Sequence, residues 1–226
     1  MTLSIDCFWS FRSPYSYLAT PRMRDWSSRY DLSINVRVVY PLAIRIDGFF
    51  KSQHPQWLAY LARDCAREAQ RLRIPFAKPD PDPVLMNMAT GDVPKEQPYI
   101  WRLTRLGAAA AAAGIGLPFI SEIGRLIWSG EVRGWHEGPH LAVAAARAGA
   151  DLNQLDAAIA SDAECYEQMI QANQIAHAAA GHWGVPLFVF EGEPFFGQDR
   201  MDALLWRLQM QGLRDRLGSK VQEIAP

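Results

Sequence analysis

The chain has 226 residues, 23 basic and 24 acidic side chains, a formal net charge of −1, and 49% hydrophobic against 21% charged residues. That balance excludes disorder, and the length fits one large domain or a small domain carrying an insertion. Scattered basic residues and a near-zero net charge argue against nucleic acid or an anionic membrane as a main partner.

Leu3 to Trp9 reads as a short strand. Ser13-Pro14 then opens a helix, with Ser as cap and Pro at the first helical position. Its inward stripe is Leu18, Ala19, Met23, Trp26 and Tyr30, and Pro21 inside it predicts a kink or a loosened turn. Leu32 to Tyr40 alternates apolar and polar residues, as a second strand does.

From about Pro55 to Gly181 every periodic segment has helical spacing. Trp57, Leu58, Leu61, Cys65 and Leu72 mark one face; Ile100, Leu103 and Leu106 begin another. Between them Pro79-Asp80-Pro81-Asp82-Pro83 reads only as a loop. Gly138-Pro139 starts a third segment, which Gly149 ends, and Asp151-x-x-Gln154 and Ser161-x-x-Glu164 read as capping boxes for the next two.

The strand signal returns at Pro186-Leu187-Phe188-Val189-Phe190. Glu191-Gly192 is a turn, and Glu193 to Phe196 pairs back as a hairpin. A last helix begins near Asp199, with Met201, Leu204, Leu205 and Leu208 on its inner face. Strand-helix-strand, a helical block, then hairpin-helix is an α/β domain split by an α-helical insertion.

Met1-Thr2-Leu3-Ser4-Ile5-Asp6 lacks the basic region and apolar run of a secretory leader. No stretch approaches the roughly 18 apolar residues of a membrane span. Cys7, Cys65 and Cys165 are far apart and form no Cys-x-x-Cys pair, so a reducing, cytoplasmic setting is expected. Each is expected to be a small buried hydrophobe rather than a nucleophile.

Three stretches can carry chemistry. Phe8-Trp9-Ser10-Phe11-Arg12-Ser13-Pro14-Tyr15-Ser16-Tyr17-Leu18 runs from a strand into a helix N-terminus, where free N–H groups and the helix dipole favour an anion. Ser13 there is either a plain cap or a donor to a thiolate supplied by a cofactor. In Gly184-Val185-Pro186 the proline either starts a strand or shapes a loop. In Phe195-Phe196-Gly197-Gln198-Asp199-Arg200, Asp199 suits a first helical turn whatever the function.

Taken together, these stretches resemble the glutathione-dependent 2-hydroxychromene-2-carboxylate isomerases and the related kappa-class glutathione transferases, both within the wider DsbA group. Ser13-Pro14-Tyr15-Ser16-Tyr17-Leu18 is similar to the catalytic serine motif, Gly184-Val185-Pro186 to the cis-proline loop, and Phe196-Gly197-Gln198-Asp199-Arg200 to the Phe-Gly-(Ser/Gln)-Asp-Arg signature. The resemblance implies an α/β thioredoxin-like domain, residues 1–50 plus 182–226, interrupted by an all-α helical insertion, residues 51–181.

It further implies that Ser13 faces the glutathione sulfur and that the Val185 backbone, ahead of cis-Pro186, pairs with the glutathione main chain. Gln198 and Asp199 would bind the γ-glutamyl end, with Asp199 accepting from its ammonium group. Gln53, in Gln53-His54-Pro55, stands nearest to a family Asn in an Asn-Lys-Pro context. Arg12, less apolar than the family position, is expected to face substrate. The partners implied are glutathione and a small aromatic substrate, with a homodimer as the assembly.

His136-Glu137-Gly138-Pro139-His140 spells a zinc-protease pattern, but Gly138-Pro139 denies it the continuous helix it needs, so no metal is expected. Gly114-Ile115-Gly116 has no third Gly for a dinucleotide fingerprint. His177 and His182 have no partner set, so a structural role is expected.

Ser13 cannot form the mixed disulfide of a redox enzyme. The expected reaction is therefore reversible addition of glutathione thiolate to a conjugated carbon, with isomerisation of the double bond. The alternatives are a kappa-like glutathione transferase or peroxidase and, outside catalysis, a thioredoxin-fold binding protein or peptide chaperone.

Overall fold

The computed structural model describes residues 2–87 and 89–216; the expected terminal segment beyond 216, and Met1, lie outside the described residues. Strand β1 (Leu3–Trp9) buries Ile5, Cys7, Phe8 and Trp9, so both of its faces are covered. It pairs in parallel with β2 (Leu32–Val38), from Leu3↔Leu32 to Trp9↔Val38. Its other edge pairs antiparallel with β3 (Leu187–Phe190), which forms a hairpin with β4 (Glu193–Phe196). The sheet order is β2-β1-β3-β4. Both turn residues of the hairpin, Glu191 and Gly192, have positive φ (49° and 83°), as a turn matched to strand twist requires.

Helix α1 (Pro14–Arg29) links β1 to β2 and runs unbroken through Pro21 rather than loosening there. Pro21 stands on the exposed side of the helix. After β2 come α2 (Leu42–Arg45) and α3 (Trp57–Leu72), and the described residues of 73–87 and 89–99 then have no regular structure. That segment is tied down by side chains: Trp135 Nε1 donates to the Pro81 carbonyl at 2.8 Å, and Gln97 bonds both the N–H and the carbonyl of Leu85 at 2.7 and 3.0 Å.

The helical block continues with α4 (Ile100–Ala112), α5 (Gly116–Trp128), α6 (His140–Arg147), α7 (Leu152–Ser161) and α8 (Ala163–Ala179). Asp151 caps α7 as expected, accepting from Asn153 N at 2.8 Å. The cap of α8 is Asp162 rather than Ser161: its Oδ1 accepts from Cys165 N, while the Ser161 hydroxyl donates back to the Ala158 carbonyl. Ser161 is still the last residue of α7, so the next residue takes the cap. Helix α9 (Met201–Met210) follows β4 and buries Met201, Leu204 and Leu208.

One contiguous core joins sheet residues Ile5, Trp9, Val38 and Phe188 to Leu103 and Leu106 of α4 and Phe119, Ile120 and Ile123 of α5. Close approach makes Gly107 necessary where α4 meets the sheet: a Cβ there would stand 2.9 Å from both Phe11 and Val38 side chains. Cys7 and Cys65 are buried, but Cys165 is exposed, which corrects the expectation for the third thiol. Position 165 lies in the first turn of α8, on its solvent side.

Candidate active site

The site begins where β1 ends. The chain turns at Ser10 to Ser13, closed by Ser13 N–H donating to the Ser10 carbonyl at 3.1 Å. Ser13 then takes extended torsions (φ −97°, ψ 114°), and its Oγ accepts from Ser16 N at 3.2 Å, an N-cap in form. The same hydroxyl donates to the Val185 carbonyl at 3.1 Å, across 172 positions of sequence. The Val185–Pro186 bond is cis, as is Asp80–Pro81. One hydroxyl thus joins the first helix to the proline loop.

The third stretch is tied to the second through main chain, Gly197 N–H donating to the Pro186 carbonyl at 2.9 Å. Gly197 has φ 98°, a conformation that suits glycine, and it hands the chain to a 3-10 turn, Gln198–Arg200. Gln198 is buried and its amide donates to Glu68 Oε2 of α3 at 3.0 Å. Asp199 is exposed and meets Arg200 at 3.2 Å. A cleft of about 480 Å³ opens here, with Tyr15 of α1, Glu68 and Arg71 of α3, and Gln198 and Asp199 on its walls. Arg71, at 2.7 Å, is the main cause that holds the Glu68 carboxyl below the usual range, so an anion faces the cleft.

Among the described residues no cysteine hydrogen-bonds Ser13. Cys65 on α3 is pushed up to about 12, chiefly by burial, and burial also drives Cys7 upward. Tyr15, which donates to Asp64 at 2.6 Å, is likewise raised by burial and that hydrogen bond. Ser13-Pro14-Tyr15-Ser16 carries hydroxyls at i and i+3, and among the described residues the buried Ser16 hydroxyl has no hydrogen-bond partner.

Among the described residues no hydrogen bond brings Gln53 to this group: its amide donates to Phe49 O and Ser52 Oγ within its own turn. Arg12 differs from its expectation. Its guanidinium is spent on Asp82, with Nε and Nη2 at 2.8 and 3.0 Å from the two carboxylate oxygens, and it lies 5.2 Å from the Phe50 ring with only 10% of the side chain exposed. A bidentate pair in so covered a place braces the loop rather than reaching for a ligand. Asp82 and Glu68 were both missed in the sequence, and so was the partner set of His177. The Pro-rich run around Asp82 signals only a loop, and Glu68 is an ordinary helical charge. The zinc-like pattern is not on one helix, since α6 begins only at His140.

A four-stranded mixed sheet whose first strand feeds a serine-capped helix facing a cis-proline loop defines a thioredoxin-fold protein. The chain belongs to the DSBA-like thioredoxin domain family, whose model matches residues 4–209. Among solved structures it is similar to a 2-hydroxychromene-2-carboxylate isomerase, at 20% identity and TM-score 0.64, covering 92% of this chain and 97% of that one. It is also similar to the cytosolic disulfide reductase DsbM from Pseudomonas aeruginosa, at 20% identity and TM-score 0.59, covering 92% and 99%. The same reductase with GSH matches at 18% identity and TM-score 0.56, covering 92% and 100%. At these identities the likeness is one of fold. No curated protein sequence matches the chain. Among the described residues no helix is long and apolar enough to cross a membrane.

Proposed function

We propose that the protein is a glutathione-dependent isomerase of the 2-hydroxychromene-2-carboxylate isomerase type, acting on a conjugated aromatic substrate. The observation that carries this reading is the Ser13 hydroxyl, set at a helix N-terminus against the cis-proline loop, with no cysteine hydrogen-bonded to it among the described residues. Glutathione fits the residues present: N–H groups and a hydroxyl for an anionic sulfur, and Asp199 with Glu68 on the cleft wall for an ammonium. Bound there, glutathione would supply a thiolate that adds reversibly to a conjugated carbon, leaving a rotatable single bond before elimination.

The protein's part is then positional and electrostatic. Ser13 Oγ keeps accepting from Ser16 N while its O–H swings from the Val185 carbonyl toward the sulfur. Exchanging a neutral acceptor for a charged one gains about 1 kcal/mol, which favours the ionised ligand. The Val185 main chain holds the peptide part of the ligand as an added strand would. Gln198, anchored by Glu68, and Asp199 hold its γ-glutamyl end, while Arg12 and Asp82 keep the loop beside Ser13 rigid.

Calorimetric titration with glutathione, followed by turnover of hydroxychromene carboxylate against a chlorinated aromatic acceptor, tests the reading. Binding with chromene turnover supports it. Turnover of the chlorinated acceptor alone makes the protein a transferase, and absence of glutathione binding rejects the whole assignment.

A further inference from the structure

The cis-proline loop is held from behind by a group that no part of the proposed chemistry uses. His177 of α8 is 1% exposed and packs against the Phe8 ring at 5.0 Å. One ring nitrogen, Nε2, lies 2.8 Å from the Gly184 carbonyl, and the other, Nδ1, lies 3.3 Å from Arg45 Nη1. A guanidinium has no acceptor, so Nδ1 must accept and the ring proton must sit on Nε2, donating to Gly184. The tautomer is thus set by the arginine.

Arg45, at the end of α2, uses its remaining groups on main chain. Nε donates to the Tyr40 carbonyl at 2.6 Å and Nη2 to the Trp183 carbonyl at 3.0 Å. Among the described residues it forms no ion pair with a carboxylate. Burial pushes it down to about 10, which still leaves it charged at neutral pH. Burial, then the Arg45 charge, pushes His177 down to about 4, while its bond to Gly184 opposes them, so the ring stays neutral. On the loop's outer side Gly184 N–H donates to His182 Nδ1 at 2.9 Å, and the His182 ring stacks on Phe196 at 3.7 Å. Successive carbonyls, at 183, 184 and 185, are therefore bound by Arg45, His177 and Ser13.

We propose that His177 and Arg45 are positioning residues for the ligand site: by holding the Trp183 and Gly184 carbonyls they fix the Val185 main chain in the orientation that pairs with glutathione. The ligand named here rests on the function proposed above; the ordering of the loop does not. His177→Leu leaves the Gly184 carbonyl and one face of the guanidinium without a partner. His177→Gln keeps an amide donor for Gly184 and an oxygen to accept from Arg45. Leu155→Ala, on α7 in the helical block, is the control for general loss of stability.

Amide hydrogen exchange over residues 182–187 and titration with glutathione are measured on all four proteins. In His177→Leu, exchange rises and affinity falls, each by about tenfold or more, the effect of one lost buried hydrogen bond. His177→Gln restores both to within about threefold, and Leu155→Ala changes neither. Equal behaviour of His177→Leu and Leu155→Ala overturns the proposal, and faster exchange with unchanged affinity overturns its ligand part. If the wild-type protein binds no glutathione, the proposed function falls, and the exchange data alone decide whether His177 sets the loop. Should His177→Leu not fold, Arg45→Met breaks the same brace from its other end and takes its place.

Discussion

Replacing Ser13 with Ala removes one oxygen and the two hydrogen bonds it makes, from Ser16 N at 3.2 Å and to the Val185 carbonyl at 3.1 Å. Loss of the cap costs about 1 kcal/mol, and loss of a neutral tie to a carbonyl costs about 0.5–1.5 kcal/mol. Together they come to about 2 kcal/mol, which lowers the melting temperature of a chain of this size by about 4–8 °C. The protein still folds, so the remaining effect is chemical. A charge-assisted bond to the ligand sulfur is worth about 1.5–3 kcal/mol, so turnover should fall about 10- to 100-fold even with glutathione at saturation. The comparison that isolates this is Asp162→Ala, which removes the cap of α8, far in sequence from the loop. It should lower the melting temperature by a similar margin and leave turnover unchanged. The assay is steady-state turnover of hydroxychromene carboxylate with thermal melts of both variants. If Ser13→Ala and Asp162→Ala behave alike in turnover, Ser13 is a cap and nothing more.

Asp199→Asn keeps the shape of a largely exposed side chain that pairs with Arg200. It should weaken glutathione binding by about tenfold through loss of a charge-assisted bond, with the melting temperature little changed. A lowered melting temperature with unaltered affinity would rule out contact with the ligand ammonium. The neutral His177 also predicts a pH effect on stability. Its folded value, about 4, lies below the 6.5 it has when free, so the unfolded chain binds more protons between those values. Stability conferred by the neutral ring is complete above pH 6.5 and is lost as pH falls toward 4, by about 3 kcal/mol at most. Denaturant unfolding of wild type and His177→Gln at pH 7 and pH 4.5 reads this directly; identical pH dependence in the two would refute it.

Much of this protein is local, and local features are legible in a sequence. The alternation that begins at Leu32, the apolar stripe of α9 and the Ser13-Pro14 start of α1 are set by backbone geometry and by neighbours within a few residues, and these elements form there, although the strand ends at Val38 rather than at Tyr40. The three stretches that resemble one family likewise give the fold, because each is contiguous. What periodicity cannot supply is the choice of partner between elements distant in the chain. It marks which face of a strand or helix turns inward, not what meets it there. Ser13 and Val185 lie 172 positions apart, Gln198 and Glu68 lie 130 apart, and His177 and Arg45 lie 132 apart. Arg12 looked free to face a substrate until Asp82 arrived from a loop with no regular structure of its own. Cys165 looked like its two buried counterparts until the register of α8 turned it to solvent. Those outcomes belong to tertiary packing, because burying a polar group forces it to find whichever partner the fold brings within reach.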